Sequence, residues 1–343
     1  MNDSAEAKAA IAALRRISRN EDYKERVIAT PLLRRVLLAA VSRFIGGEDF
    51  AGCLDVARKL HERGIATAID YMGESTRDHT RAASVTQEFL RVLATFADRG
   101  PAASISPDLS HLGMVVDPQL AYQNARRLAD AAGATSAEVM LNMEGSDRTE
   151  IILAIHRQLC AHHDNVGVTL QAYLYRTDQD LVDALARPGR IRLVKGAYAE
   201  PPEVARPLGP TTDAAFRALM DALLASGHRA SIATHDPALL EHAHRFIERH
   251  RLGREPIEFE LNYGIGEDQV RQLQARGYSV RVYLPYGEEW YLYLCHRLAE
   301  YPPNIYQALA DAVGALRKAH LAVPPSGDAR ISSRDPPRQR LEE

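Results

Sequence analysis

From residue 65 onward, short apolar runs alternate with longer stretches in which apolar residues return every three or four positions. The runs are ATAIDYM (66–72), AASIS (102–106), EVMLNM (138–143), VGVTLQAY (166–173), IRLVKGAY (191–198), ASIATHD (230–236), IEFELNYG (257–264) and SVRVYLPYG (279–287). Each has the length and the Ala, Val, Ile and Leu content of a buried strand. Between them, DPQLAYQNARRLADAAG and DPALLEHAHRFIERH place Asp at an N-cap and Pro at the first helical position, which predicts helices. Eight such strand-then-helix units, with strands read as apolar on both faces, predict an α/β fold closed into a (β/α)8 barrel rather than an open sheet.

Three segments follow from that pattern. Residues 1–64 precede the first strand and read as helices packing on the barrel, with DSAEAKAAIAALRRI and TPLLRRVLLAAVSRFI the clearest. The barrel occupies 65–320. Residues 321–343, rich in Pro and charge, are expected to be disordered.

Charge narrows the partners. Forty-two Lys and Arg against 45 Asp and Glu leave no broad field for nucleic acid or a polyanion, so the expected partner is a small molecule. Cys53, Cys160 and Cys295 lie far apart, which excludes a CxxC thiolate metal site and fits a reducing cytosol. The start lacks a signal-peptide apolar core, and no run of about 18 apolar residues occurs, so a cytoplasmic protein without a transmembrane segment is expected.

In a barrel of this kind, chemistry sits at the C-terminal ends of the strands. Strand four ends with Gln171, strand five with Lys195, Gly196, Ala197 and Tyr198, strand six with Thr234, His235 and Asp236, and strand eight with Tyr283 before Pro285. Lys beside Gly suits an anion, either a phosphate or a negative charge developing on a ring. In the last helix Tyr293, Arg297 and Glu300 share a stripe; Glu300 pairing with His296 or Arg297 on a solvated face is the plainer alternative. His235 alone is equally well a structural histidine. The pairs His162/His163 and His242/His244 lack metal-ligand spacing and read as surface residues, so no metal is expected.

Taken together, RLVKGAY (192–198), ATHD (233–236), RVYLPYG (281–287) and HRLAE (296–300) resemble the signature segments of proline dehydrogenases, in order and spacing. IDYMGES (69–75) and VTLQAYLYRT (168–177) resemble the family's first and fourth strands, so the likeness spans about residues 65–315. It implies a distorted (β/α)8 barrel that holds FAD and oxidises a C–N bond to an imine, with electrons passing to a quinone or oxygen and with contact at the inner membrane face. Position by position it implies FAD contacts at Gln171, Arg192, Lys195, Gly196, Ala197, Thr234, His235 and Glu300, and a substrate pocket shaped by Tyr198, Tyr283 and Arg297.

The departures from the family concentrate where substrate would lie. Asp108 stands where the family's second strand ends in lysine, His296 replaces the first of two arginines, Asn142 replaces an aspartate and Asn262 a leucine. Glu74 resembles a glutamate that pairs with the missing arginine to gate the site. Because Arg grips a carboxylate in two places and an aspartate repels it, free proline is expected to bind poorly. The expected substrate is another secondary amine or an N–N-bonded amino acid. The rivals are ordinary proline or hydroxyproline catabolism, a flavin-binding barrel without turnover, and a flavin-free Schiff-base aldolase using Lys195.

Overall fold

The computed structural model describes residues 20–73, 75–96 and 103–300, together with residues 13, 14, 16, 17, 310 and 313. Of His296 and Glu300 it describes the backbone alone. Glu74 and the expected disordered tail at 321–343 lie outside the described residues.

The strands are β1 (Ala66–Tyr71), β2 (Ser104–Ile105), β3 (Glu138–Leu141), β4 (Val166–Gln171), β5 (Ile191–Val194), β6 (Ala230–Ala233), β7 (Ile257–Asn262) and β8 (Ser279–Tyr286). Every neighbouring pair is parallel, and β8 pairs back onto β1 to close the barrel. The helices between them are α4 (His79–Phe96), α5 (Pro118–Gly133), α6 (Thr149–Cys160), α7 (Thr177–Leu185), α8 (Pro210–Ala225), α9 (Pro237–His250) and α10 (Glu267–Ala275), with α11 (Trp290–Glu300) after β8. The (β/α)8 expectation is met.

Local chemistry explains the helix starts. Asp117 accepts the Gln119 amide at the head of α5, and Asp236 accepts those of Ala238 and Leu239 at the head of α9, each with Pro in the first turn. The last of these also explains why the strands are shorter than the apolar runs suggest. Thr234, His235 and Asp236 lie past the last paired residue of β6, because Asp236 has already turned to cap α9. Likewise β5 stops at Val194, so Lys195 to Tyr198 form a loop, and β2 keeps two residues.

The strands are not apolar on both faces. In β7, Ile257, Phe259 and Leu261 join the core under the helices, whereas Glu258 and Glu260 turn inward to meet arginines. In β8, Val280, Val282 and Leu284 face outward and Arg281 inward. Barrel interiors are usually filled by branched apolar side chains; this one is charged.

Preceding the barrel are α1 (Glu21–Ala29), α2 (Pro31–Val41) and α3 (Phe50–Glu62). Phe50 packs on Tyr286, ring centroids 5.8 Å apart. The link between α2 and α3 lies on the rim: Gly46 donates to the Pro285 carbonyl at 2.8 Å, and Gly287 donates to that of Gly47 at 3.1 Å. Gly264 has φ +76°, and a Cβ there would lie 1.8 Å from the Arg43 carbonyl oxygen, so only glycine admits this contact.

Candidate active site

The lower interior of the barrel is a closed ion-pair layer. Arg281, 3 % exposed, donates Nε to Glu258 Oε1 at 2.8 Å and Nη2 to Oε2 at 3.0 Å, while its Nη1 reaches the Thr67 carbonyl and Ser104 Oγ. Arg190 binds Glu138 at 3.2 Å. Burial pushes Glu258 upward, but the charges of Arg281 and Arg190 outweigh it and hold the carboxyl below its ordinary range.

One level up, at the C-terminal ends of the strands, lie most of the residues marked by the sequence. Arg192 is buried, with Nε donating to Thr169 Oγ1 at 2.9 Å, Nη1 to Glu260 Oε1 at 2.9 Å and Nη2 to Asn142 Oδ1. The Asn142 amide donates to Asp108 Oδ1 at 2.7 Å and to the Ser106 carbonyl at 2.8 Å. Its orientation is thereby set, oxygen toward a guanidinium and NH2 toward a carboxylate. An aspartate at 142 would put two carboxylates in contact.

Beside this chain, Tyr283 donates its hydroxyl to Asp70 Oδ2 at 2.6 Å, and the Arg192 guanidinium carbon lies 5.7 Å from the Tyr283 ring centroid. Burial lifts Asp70 to about 6 despite the Tyr283 hydrogen bond and the Arg192 charge. Burial also lifts Tyr283 well above its ordinary value, reinforced by Asp70 and Asp108.

On the next wall Lys195 Nζ sits between two carboxylates, 2.6 Å from Asp213 Oδ1 and 2.9 Å from Asp236 Oδ2. Burial works against its charge, but the two partners raise its pKa overall. Gly196 takes φ +114°, and a Cβ there would come 2.2 Å from the Tyr173 ring. The close approach for which this glycine is needed is therefore made by Tyr173.

His235 accepts the Asn262 amide at Nε2, 3.0 Å away, so its ring proton belongs on Nδ1. Nδ1 is buried and has no hydrogen-bond partner among the described residues. Burial, then the charge of Arg297, pushes this histidine down to about 4, which keeps it neutral. A buried N–H donor left open suits a polar ligand atom, as does the neighbouring Thr234. Gln171 is buried and spends its Nε2 on the Glu144 carbonyl at 2.9 Å.

Arg297 lies over the Tyr293 ring at 5.0 Å, as the helical stripe requires. Tyr198 is half-buried and Ala197 exposed in the loop after β5. The structure thus gathers Asp108, Asn142, Arg192 and Tyr283 into one cluster, with Lys195, Thr234 and His235 alongside. Beyond the residues that the sequence marks, the site includes Asp70, Asp213, Glu260 and the Glu144–Arg148 pair that fastens the rim loops, where Arg148 donates to Glu144 Oε2 at 2.5 Å and to Ser75 Oγ at 3.1 Å. For Glu260 the signal was the alternation in IEFELN; Asp213, on a helix, left none. Among the described residues, no group of three or more His, Cys, Asp or Glu side chains could hold a metal ion, and no helix is long and apolar enough to cross a membrane.

A family profile described as Proline dehydrogenase matches residues 53–304. Proline dehydrogenase 2 of Bacillus subtilis (strain 168) is 34% identical over 266 residues, covering 78% of this chain and 88% of the relative. The proline dehydrogenase of Deinococcus radiodurans is 34% identical over 287 residues, covering 82% and 92%. Among solved structures, proline utilization A (PutA) from Bdellovibrio bacteriovorus inactivated by N-propargylglycine superposes with a TM-score of 0.70 at 20% identity, over 84% of this chain and 38% of that one, a likeness of fold alone. Matching fold, profile and relatives over most of its length, the chain belongs to the proline dehydrogenase family, FAD-dependent oxidoreductases that act on a CH–NH group.

Proposed function

We propose that this enzyme oxidises the C–N bond of a secondary amine or N–N-bonded amino acid that carries a cationic or hydrogen-donating group absent from free proline. The observation that carries this reading is Asp108, tied by Asn142 at 2.7 Å and close enough to Tyr283 to raise its pKa. A substrate carboxylate about 4 Å from Asp108 would meet a repulsion of roughly 1–4 kcal/mol, whereas a donor there would find an acceptor. Arg297 remains as the clamp for a carboxylate at the other end.

FAD, when bound, supplies the hydride acceptor. The open Nδ1–H of His235 and the residues Thr234, Gln171, Arg192, Lys195, Gly196, Ala197 and Glu300 would hold it. Tyr198, Tyr283, Asn262, His296 and Glu74 would border the substrate. In this reading Lys195 exchanges at least one of its two carboxylate partners for the ligand, and Arg192 keeps the mouth from becoming uniformly anionic. Electrons leave to a quinone or oxygen.

The proline-oxidising reading has its own support, since the relatives at 34% identity are named proline dehydrogenases. Anaerobic addition of candidate amines to the yellow protein separates the two. Bleaching by proline at submillimolar concentration overturns the altered-substrate reading; bleaching by a dicationic or N–N-bonded analogue at lower concentration than proline supports it. Asp108→Lys with His296→Arg is expected to shift preference toward proline at least tenfold, read as a ratio of kcat/KM values.

A further inference from the structure

We propose that Tyr283 and Asp70 form a proton relay that takes the ammonium proton from the substrate before its C–H bond is broken, with Asp70 as the terminal acceptor. The inference rests on the amine-oxidising reading above and adds a residue outside the set assigned to the site. An amine can release hydride from the adjacent carbon only when its nitrogen lone pair is free, yet most aliphatic amines are protonated near neutrality. The site therefore needs a proton acceptor in contact with the nitrogen.

The geometry restricts what Tyr283 can do. Its hydroxyl proton already points at Asp70 Oδ2, 2.6 Å away. Toward any other group the phenol oxygen is an acceptor, and an N–H of the substrate is what it can receive. The step then balances: an N–H bond breaks as an O–H bond forms at Tyr283, while the original Tyr283 O–H breaks as one forms at Asp70 Oδ2. Phenol is regenerated, the amine becomes neutral, the carboxylate becomes a carboxylic acid, and no electrons change hands. The acid gives its proton to solvent once product leaves.

The groups facing the pair come from several elements: Arg192 from β5, Asp108 beyond β2, Cys53 from α3 and Tyr293 from α11. Arg192 favours the carboxylate before transfer, and burial favours the neutral acid after it. A carboxyl lifted to about 6 is suited to take a proton and return it at neutral pH.

The test is single-turnover flavin bleaching against pH with whichever amine the unsubstituted holoenzyme oxidises, for that enzyme, Asp70→Asn and Tyr283→Phe. The unsubstituted enzyme is expected to gain rate through about pH 6 and then level. Both variants are expected to keep rising by about tenfold per pH unit into the alkaline range, because deprotonation then follows the bulk amine equilibrium. Infrared difference spectra on adding that amine anaerobically are expected to show a protonated carboxyl band in the unsubstituted enzyme and none in Asp70→Asn. If Asp70→Asn does not fold, Tyr283→Phe carries the test with Asp70 in place. A uniform fall in rate at every pH, with no carboxyl band, overturns the relay while leaving the amine-oxidising reading intact. Absence of bleaching by any amine in the unsubstituted enzyme overturns both.

Discussion

The two layers of the barrel interior are both lined by polar and charged side chains and come to opposite ends. Below, Arg281 and Glu258 meet through two hydrogen bonds, and Arg281 spends both Nη1 donors on Thr67 and Ser104. Above, the Tyr283 oxygen has an acceptor lone pair besides the bond it donates to Asp70, His235 Nδ1 has no hydrogen-bond partner among the described residues, and Lys195 is held between two half-buried carboxylates. A buried ion pair is tolerable when every donor is used; a binding site requires that some are not. The difference between the layers is one of saturation.

The largest expected effect tests the saturated layer. Glu258→Gln removes the carboxylate that Arg281 grips through two hydrogen bonds and that lies 3.6 Å from Arg190, leaving the more distant Glu138, 3.9 Å from Arg281, to face both buried cations, and a loss of about 3–5 kcal/mol is expected in urea unfolding. A loss below about 1 kcal/mol would mean that water reaches this layer.

Next comes Gly196→Ala in the open layer. With φ +114° and the Tyr173 ring 2.2 Å from the added methyl, the loop must move, at a cost of about 1–3 kcal/mol. Flavin content per chain should fall along with stability; full flavin content would free this loop from any part in holding the cofactor.

Removal of FAD should separate the layers directly. At free FAD a hundredfold above Kd, its loss is expected to cost about 2.7 kcal/mol. Amide exchange should rise in residues 195–198 and 263–266 while strands around Arg281 stay protected. Equal exchange in both layers would erase the distinction.

Acid gives a smaller effect. Burial, joined by neighbouring arginines, pushes His111 and His235 down to about 4, and burial does the same to His156, from 6.5 in each case. On acidification the unfolded chain takes up these protons first, so stability is full above about 6.5 and is lost as pH falls toward 4, at up to about 1.4 kcal/mol per pH unit for each histidine. Asp70 acts oppositely, being raised from 3.8 to about 6: its contribution falls as pH rises across that window. The three histidines, joined by the lowered carboxyls of Asp236 and Glu258, which also lose stability on acidification, set the sign. His235→Asn should flatten the acid limb by the share of the upper layer, measured by thermal unfolding from pH 4 to 7.

Much of this was legible from one dimension. Apolar runs spaced by helical stretches predict a (β/α)8 barrel, and Asp-Pro pairs such as Asp236-Pro237 locate helix starts, because capping and period are local properties. The strand-end residues Lys195, Thr234, His235 and Tyr283 could be named as well, since a parallel barrel sends all its strand ends to one face.

What the chain alone determined is the identity and order of these groups, and the family they signal. Which ones meet was decided by closure of the sheet. Asp70 and Tyr283 are 213 residues apart and become partners because β8 pairs with β1; Asn142 links Asp108 to Arg192 because the segments just past β2 and β3 converge with β5 around one axis. The charged interior followed the same rule: alternation in IEFELN was present in the sequence, but only the curvature of the sheet made one side of it an interior and brought each glutamate its arginine.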